Sequence, residues 1–286
     1  MRLRSLLFIP GHRARFYEKL PDFAPDGVIL DLEDAVPPAE KPLARQMARE
    51  RLGGPLLAAY HAFIRVNAIG TEFFEDDVRG VVAPGLAGIF LPKVETADQL
   101  RGANMVLAQA ELRAGLPLGT TRLVPIMETV RGVLDARELA KASPRILALA
   151  FGAEDFTRDL GVSRTPEGLE TRYPRAYVAL AAHSAGIQAF DTPWASIGDR
   201  DGMVRETTEA KQLGYQGKQA IHPSQVAIIH DVFAPLAEDV ERARRIVSAY
   251  DEATACGTGA INLDGELIDV PMVARARRVL EQARDE

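Results

Sequence analysis

The sequence predicts an α/β fold, a (β/α)8 TIM barrel with a C-terminal helical and hairpin extension, on three observations. Eight short apolar runs recur along the chain with helical patterns between them. The runs are nearly continuous in apolar residues rather than alternating, the pattern of parallel strands covered on both faces. The 286 residues also exceed the roughly 250 that one such barrel uses, so chain is left over after the eighth unit. A doubly wound sheet is the alternative. It fits less well, because the first run leads into FIPGHR, with one glycine where a dinucleotide-binding turn has three.

In order, the predicted strands are Ser5 to Ile9, Gly27 to Leu32, Phe63 to Val66, Gly88 to Leu91, Leu123 to Met127, Ile146 to Phe151, Gln188 to Phe190 and Gln219 to Ile221. Between them, AEKPLARQMARERL, ADQLRGANMVLAQAELRAG, VRGVLDARELAKA and TRYPRAYVALAAHSAG place apolar residues at helical spacing. The opening MRLRSLLFIPGHR has arginines before an apolar run, as a signal peptide does. Pro10-Gly11-His12-Arg13 interrupts that run too early, so it reads as the first strand. The barrel is assigned to residues 1–235 and the extension to 236–286. Within the extension, a long amphipathic helix is predicted over Glu238 to Cys256, with a stop at Gly257 to Gly259. A small hairpin follows from Ala260 to Ile268, turning at Asp264-Gly265, and a last helix begins at Val270.

Hydrophobic residues make up 47% of the chain and charged residues 26%, a globular composition, and no apolar run reaches the ~20 residues of a membrane span. The single Cys256 excludes a disulfide framework within the chain and a cysteine-based metal cluster, and fits a cytoplasmic protein. A net charge of -6 and a pI near 5.5 argue against nucleic acid as the main partner. They leave room for local basic groups that hold a phosphate.

In a TIM barrel the chemistry gathers at the C-terminal ends of the strands. There the sequence places Gly11-His12-Arg13, Asp31-Leu32-Glu33-Asp34, Arg65-Val66-Asn67, Pro92-Lys93, Glu128, Asp155, Asp191 and His222, in strand order. Charged groups converging from so many strands on one rim mark an enzyme. The sharpest pattern is VPIMETV followed by ALAFGAEDF, two neighbouring strands that deliver the carboxylates Glu128 and Asp155. Two carboxylates at one mouth repel unless a proton, a basic side chain or a hard cation lies between them. Mg2+, held by one or two carboxylates with waters and substrate oxygens, is the simplest answer. The competing reading is that such acids only cap the following helices.

Arg65 carries a fork of donors suited to a carboxylate or a developing oxyanion, or else it neutralises Asp34 or Glu33 on the adjacent strand. Lys93 reads as an ion-pair former rather than a Schiff-base lysine. His222, ahead of Pro223 and a predicted helix N-cap at Ser224, reads as a group that orients a loop. Cys256 has no activating neighbours in sequence and reads as unreactive.

The segments SLLFIPG, VILDLEDAV, IRVNA, LPKVE, METVRG, FGAEDF, GKQAIHPSQ and GELIDVP, in this order, resemble the citrate lyase β-subunit group of the HpcH/HpaI aldolase superfamily, which includes malyl-CoA and citramalyl-CoA lyases. The resemblance runs from Ser5 to about Leu280. It implies a Mg2+-dependent barrel in a homotrimer or trimer-based assembly. It also implies a carbon–carbon lyase that joins or separates a 2-oxo acid, such as oxaloacetate, glyoxylate or pyruvate, and an acetyl thioester on CoA or an acyl-carrier protein.

By position, the resemblance implies Glu128 and Asp155 as metal ligands, with Glu128 also meeting substrate. It implies Arg65 as the contact to substrate and thioester oxygen, and Asp34 as an acid that holds a water of the metal, supported by Glu33. Arg15 and Lys19 match basic positions that meet the phosphates of CoA. Asp269 in LIDVP matches the acid that the extension lends to an adjacent subunit's active site, where it moves a proton at the enolate carbon. Two alternatives stand beside this reading: a non-catalytic metabolite-binding subunit, and a class II aldolase acting on free hydroxy-oxo acids. Asp269 argues against the first, and the second leaves Arg15 and Lys19 idle.

Overall fold

A computed structural model describes residues 3–11, 17–255 and 259–284. The chain forms two compact units, Met1–His230 and Asp231–Glu286. In the first, eight parallel strands close into a barrel in sequence order: β1 Ser5–Pro10, β2 Gly27–Asp31, β3 His61–Arg65, β4 Leu86–Leu91, β5 Arg122–Met127, β6 Ala148–Phe151, β7 Gln188–Asp191 and β8 Gly217–Ala220. β8 returns to β1 through Ser5↔Lys218, Leu6↔Gln219 and Leu7↔Ala220. The eighth strand starts two residues earlier than its apolar pattern suggests. Its first residues are Gly217 and a charged Lys218, which apolarity alone does not mark. Gly217 is required there, because a Cβ would lie 2.1 Å from the Leu3 carbonyl oxygen.

Side chains alternate across a strand, and the parity of each strand decides what reaches the mouth. Leu6, Ile29, Phe63, Phe90, Val124, Ile126, Ala148, Ala150 and Phe190 pack as one buried cluster, with Phe8 against it. Phe90 meets Phe63 edge-on at 5.5 Å and stacks on Phe190 at 6.4 Å. β4 and β7 are not adjacent, so this stacking crosses the barrel interior. Each such ring contributes roughly 1.5–3 kcal/mol of burial. Two residues further on, the same parity delivers Asp31 after Ile29, Arg65 after Phe63, Glu128 after Ile126, Gly152 after Ala150 and Thr192 after Phe190. That row is the polar rim of the barrel.

Asp191 has the opposite parity, which corrects its sequence-based placement at the mouth. It is fully buried on the helix side, where Arg175 donates to it at 2.9 and 3.0 Å and Lys218 at 2.6 Å. Burial pushes its carboxyl up, but the two cations outweigh burial and hold it at about 2. Thr192 takes the rim position instead.

In the second unit, helix Ala237–Ala255 packs with helix Val270–Arg284 around Ala243, Ile246, Ile268, Val273 and Ala276. Between them lies an antiparallel hairpin, β9 Ile261–Leu263 and β10 Glu266–Ile268. Its two-residue turn has φ of 57° at Asp264 and 86° at Gly265, the left-handed pair that an Asp-Gly hairpin turn adopts. Asp269 precedes the last helix, and its Oδ1 accepts from the Met272 N–H at 3.2 Å. Among the described residues no helix is long and apolar enough to cross a membrane. Cys256 and Gly257 lie outside the described residues.

Candidate active site

A cavity of about 470 Å³ opens at the C-terminal end of the barrel. Its walls are Phe8, Pro10, Ile126 and Ile221, and its polar groups include Asp31, Arg65, Glu128, Asp155 and Gln219. A depression of about 690 Å³ on the outer surface is larger. There Arg172 and Arg175 are already paired with Glu209 at 2.9 and 2.6 Å, so it offers no comparable set of convergent groups.

Glu128 follows β5 and is 3% exposed. Gly152, at the end of neighbouring β6, makes the space for it: a Cβ there would lie 2.6 Å from Glu128 Oε2. This is the structural reason for glycine in FGAEDF. The backbone N–H of Lys93 donates to Glu128 Oε1 at 2.8 Å. Burial first, then Asp155 and Glu33 nearby, push the Glu128 carboxyl up to about 8. Asp155 stands in the first turn of helix Ala153–Leu160, with Arg158 at 2.5 Å on one oxygen and Lys93 Nζ at 3.9 Å from the other.

Arg65 does not take Asp34 or Glu33 as its main partner. Its Nε and Nη2 each donate to Asp31 at 2.7 Å, a bidentate pair between adjacent strands in register. Burial works against its charge, but Asp31 outweighs burial and raises its affinity for the proton. Its guanidinium also lies 4.9 Å from the Phe8 ring. The remaining nitrogen, Nη1, is 3.1 Å from Glu33 Oε2 and 3.9 Å from Asp34 Oδ2. The first approach is not aligned for a hydrogen bond, so the buried Glu33 Oε2 has no hydrogen-bond partner. Burial raises the Glu33 carboxyl, while Arg65 and Lys93 oppose that rise. Asp34 is the exposed member of the group, its side chain 61% accessible.

Several supporting groups carry no obvious mark in the sequence. Lys41 is buried, and its Nζ donates to the carbonyls of Leu32 and Glu33 and to Asn67 Oδ1, lacing together the loops after β2 and β3. Thr192 Oγ1 accepts from the Ala153 N–H at 3.0 Å. The Gln219 amide donates to the carbonyls of Phe151 and Asp191 at 3.0 and 3.1 Å, so its NH2 group ties the ends of β6 and β7. The available signal was parity with respect to apolar neighbours, which puts Asp31 with Ile29 and Thr192 with Phe190. Lysine and glutamine inside folded elements gave none.

His222 orients a loop: Ser224 Oγ lies 2.8 Å from its Nδ1, which also accepts from the Ser224 N–H. Ser224 is the first residue of helix Ser224–Phe233 rather than its cap. Lys19 is exposed beside the short helix Leu20–Phe23. Arg15, with His12 and Arg13, lies outside the described residues.

Among the described residues no three His, Cys, Asp or Glu side chains form a ready-made metal cage. A pair of carboxylates at an open mouth nevertheless suits Mg2+, which keeps waters and substrate oxygens in its shell. The buried Glu128, crowded by like charge, is the kind of donor whose ionised form a divalent cation stabilises.

The family model described as HpcH/HpaI aldolase/citrate lyase matches residues 4–223. Among curated proteins, the citrate lyase subunit beta of Haemophilus influenzae is 38% identical over 281 residues, covering 98% of this chain and 97% of that one. A (3S)-malyl-CoA thioesterase of Cereibacter sphaeroides is 33% identical over 280 residues, covering 98% and 94%. Among solved structures, CitE from Mycobacterium tuberculosis with magnesium, acetoacetate and coenzyme A superposes with a TM-score of 0.82 at 29% identity, covering 99% of this chain and 98% of that one. A citrate lyase beta subunit from the same organism, complexed with oxaloacetate and magnesium, gives 0.69 at 30% identity, covering 82% and 98%.

Proposed function

This chain belongs to the HpcH/HpaI aldolase/citrate lyase family, and from that premise we propose that it is a Mg2+-dependent carbon–carbon lyase. Its substrate would be a 3-hydroxyacyl thioester of the citryl, malyl or citramalyl type, cleaved to a 2-oxo acid and an acetyl thioester, or formed from them. The observation that carries the reading is the buried Glu128, raised to about 8 and sharing the barrel mouth with Asp155 and Arg65. Magnesium, oxaloacetate and coenzyme A in the similar structures support it.

Glu128 and Asp155 would hold the cation, which supplies Lewis-acid charge at the reacting oxygens. Arg65 is locked by Asp31, so its remaining donors meet developing negative charge without reorganisation. In the cleavage direction a general base takes the proton of the substrate hydroxyl, whose oxygen becomes that of the new carbonyl. The electron pair of the broken C–C bond passes to the thioester as an enolate, whose oxygen faces Arg65. Phe8, Ile126 and Ile221 limit water around that enolate. Asp269, lent by the extension of a neighbouring subunit in a trimer-based assembly, returns a proton to its carbon. Asp34 and Glu33 support the site from the β2 loop, and Arg15 and Lys19 meet the phosphates of CoA.

One panel tests this reading. Purified protein is assayed with and without Mg2+ on malyl-, citramalyl- and citryl-CoA, and both 2-oxo acid and free thiol are measured. Mg2+-dependent release of a 2-oxo acid is expected. Thiol release without a 2-oxo acid would make the protein a thioesterase, the activity named for one group of relatives. No turnover of any thioester would refute the lyase assignment.

A further inference from the structure

The mechanism above makes no use of Lys93, although it is tied to three acids of the cluster. It follows β4 with φ of 54°, a left-handed conformation that is uncommon for residues with a Cβ. In that conformation its backbone N–H meets Glu128 Oε1 at 2.8 Å. Its side chain turns to the same cluster, where Nζ donates to Glu33 Oε1 and lies 3.9 Å from Asp155 Oδ2. A turn alone would be served better by glycine, which adopts positive φ without a Cβ penalty. A lysine here therefore calls for a reason beyond chain direction.

The charges around it supply that reason. Arg65 is committed to Asp31 through a bidentate pair, and of the three acids that Lys93 meets it approaches Glu33, its Nη1 lying 3.1 Å from Oε2. Arg158 pairs with Asp155 from a largely exposed position, its side chain 72% accessible. Glu33, Glu128 and Asp155 thus crowd together, with the Lys93 ammonium among them.

Resting on the reading of Glu128 and Asp155 as a Mg2+ site, we propose that Lys93 is the internal counter-ion of that site: its N–H positions Glu128, while its ammonium balances the acids before the cation arrives and competes with it afterwards. Two positive charges a few ångströms apart repel, so the lysine sets the affinity for the cation. This is a positioning role, with no contact to reacting atoms required.

The test is a Mn2+ titration of wild type, Lys93→Met and Lys93→Gly, reading free Mn2+ by electron paramagnetic resonance with Mg2+ as competitor. Lys93→Gly keeps the N–H and suits the positive φ, so it covers the case in which Lys93→Met fails to fold. Wild type is expected to bind one Mn2+ that Mg2+ displaces, and the folded variants to bind it about tenfold more tightly. A purely structural lysine predicts no such gain. Unchanged or weaker Mn2+ binding in the folded variants would overturn the counter-ion role while leaving the cation site standing. Absence of Mn2+ binding to wild type would overturn the cation site itself, and the counter-ion with it.

Discussion

Replacing Glu128 by glutamine should make the metal-free protein more stable and remove its response to Mg2+. The Glu128 carboxyl lies at about 8 in the folded chain against an ordinary 4.5. An acid raised in this way costs nothing below pH 4.5, where it is protonated in both states. The cost grows as the pH rises, because the unfolded chain ionises and the folded one resists, and it levels off above about pH 8. At pH 7 the gap is roughly 2.5 units, or about 3 kcal/mol at 1.36 kcal/mol per unit. Glutamine has the same shape, and its Oε1 still accepts from the Lys93 N–H. Its NH2 group needs a partner, so a net gain of ~1–3 kcal/mol is expected. Denaturant unfolding of both proteins at pH 4.5 and pH 7, with and without Mg2+, reads this directly. The gain should be present at pH 7 and absent at pH 4.5. Mg2+ at a hundredfold its Kd should cancel or reverse that gain, since it stabilises wild type by ~2.7 kcal/mol and the variant not at all. A variant no more stable than wild type at pH 7, or one that keeps the full Mg2+ shift, would refute the reasoning.

Gly152→Ala puts a Cβ within 2.6 Å of Glu128 Oε2, so it should weaken Mg2+ affinity by at least about tenfold while the barrel still folds; calorimetric titration together with circular dichroism checks both. The Asp191 carboxyl is held at about 2 by Arg175 and Lys218, so its stabilisation is present above pH 4 and is lost as the pH falls towards 2. Lys218→Met should flatten that acid transition, and it should cost ~3–5 kcal/mol near neutrality by leaving buried charge short of a partner, both measurable by denaturant unfolding across pH. Asp269→Asn should lower kcat at least about a hundredfold with little change in Mg2+ affinity; an unchanged rate would remove this residue from the mechanism.

The barrel was legible in the sequence because near-continuous apolarity is a property of the residues themselves, and it follows from strands buried on both faces. The acids at the ends of β5 and β6 were legible for the same reason, since each interrupts an apolar run abruptly. So was the hairpin of the extension, because an Asp-Gly pair accepts positive φ at both turn positions. Parity was harder to read. Asp191 and Thr192 differ by one position, yet one is locked behind the barrel by Arg175 and the other lies at the rim, because a single residue reverses the face of a strand. The partner of Arg65 also depended on register, with Arg65 opposite Asp31 across β2 and β3. Lys41, Lys93 and Gln219 each reach partners distant in the chain, as in Lys41 with Asn67, 26 residues away, and Gln219 with Phe151, 68 residues away. Local pattern therefore determined which strands exist and which residues end them. Only closure of the barrel decided which polar groups face one another, because that depends on distances between segments that no stretch of sequence contains.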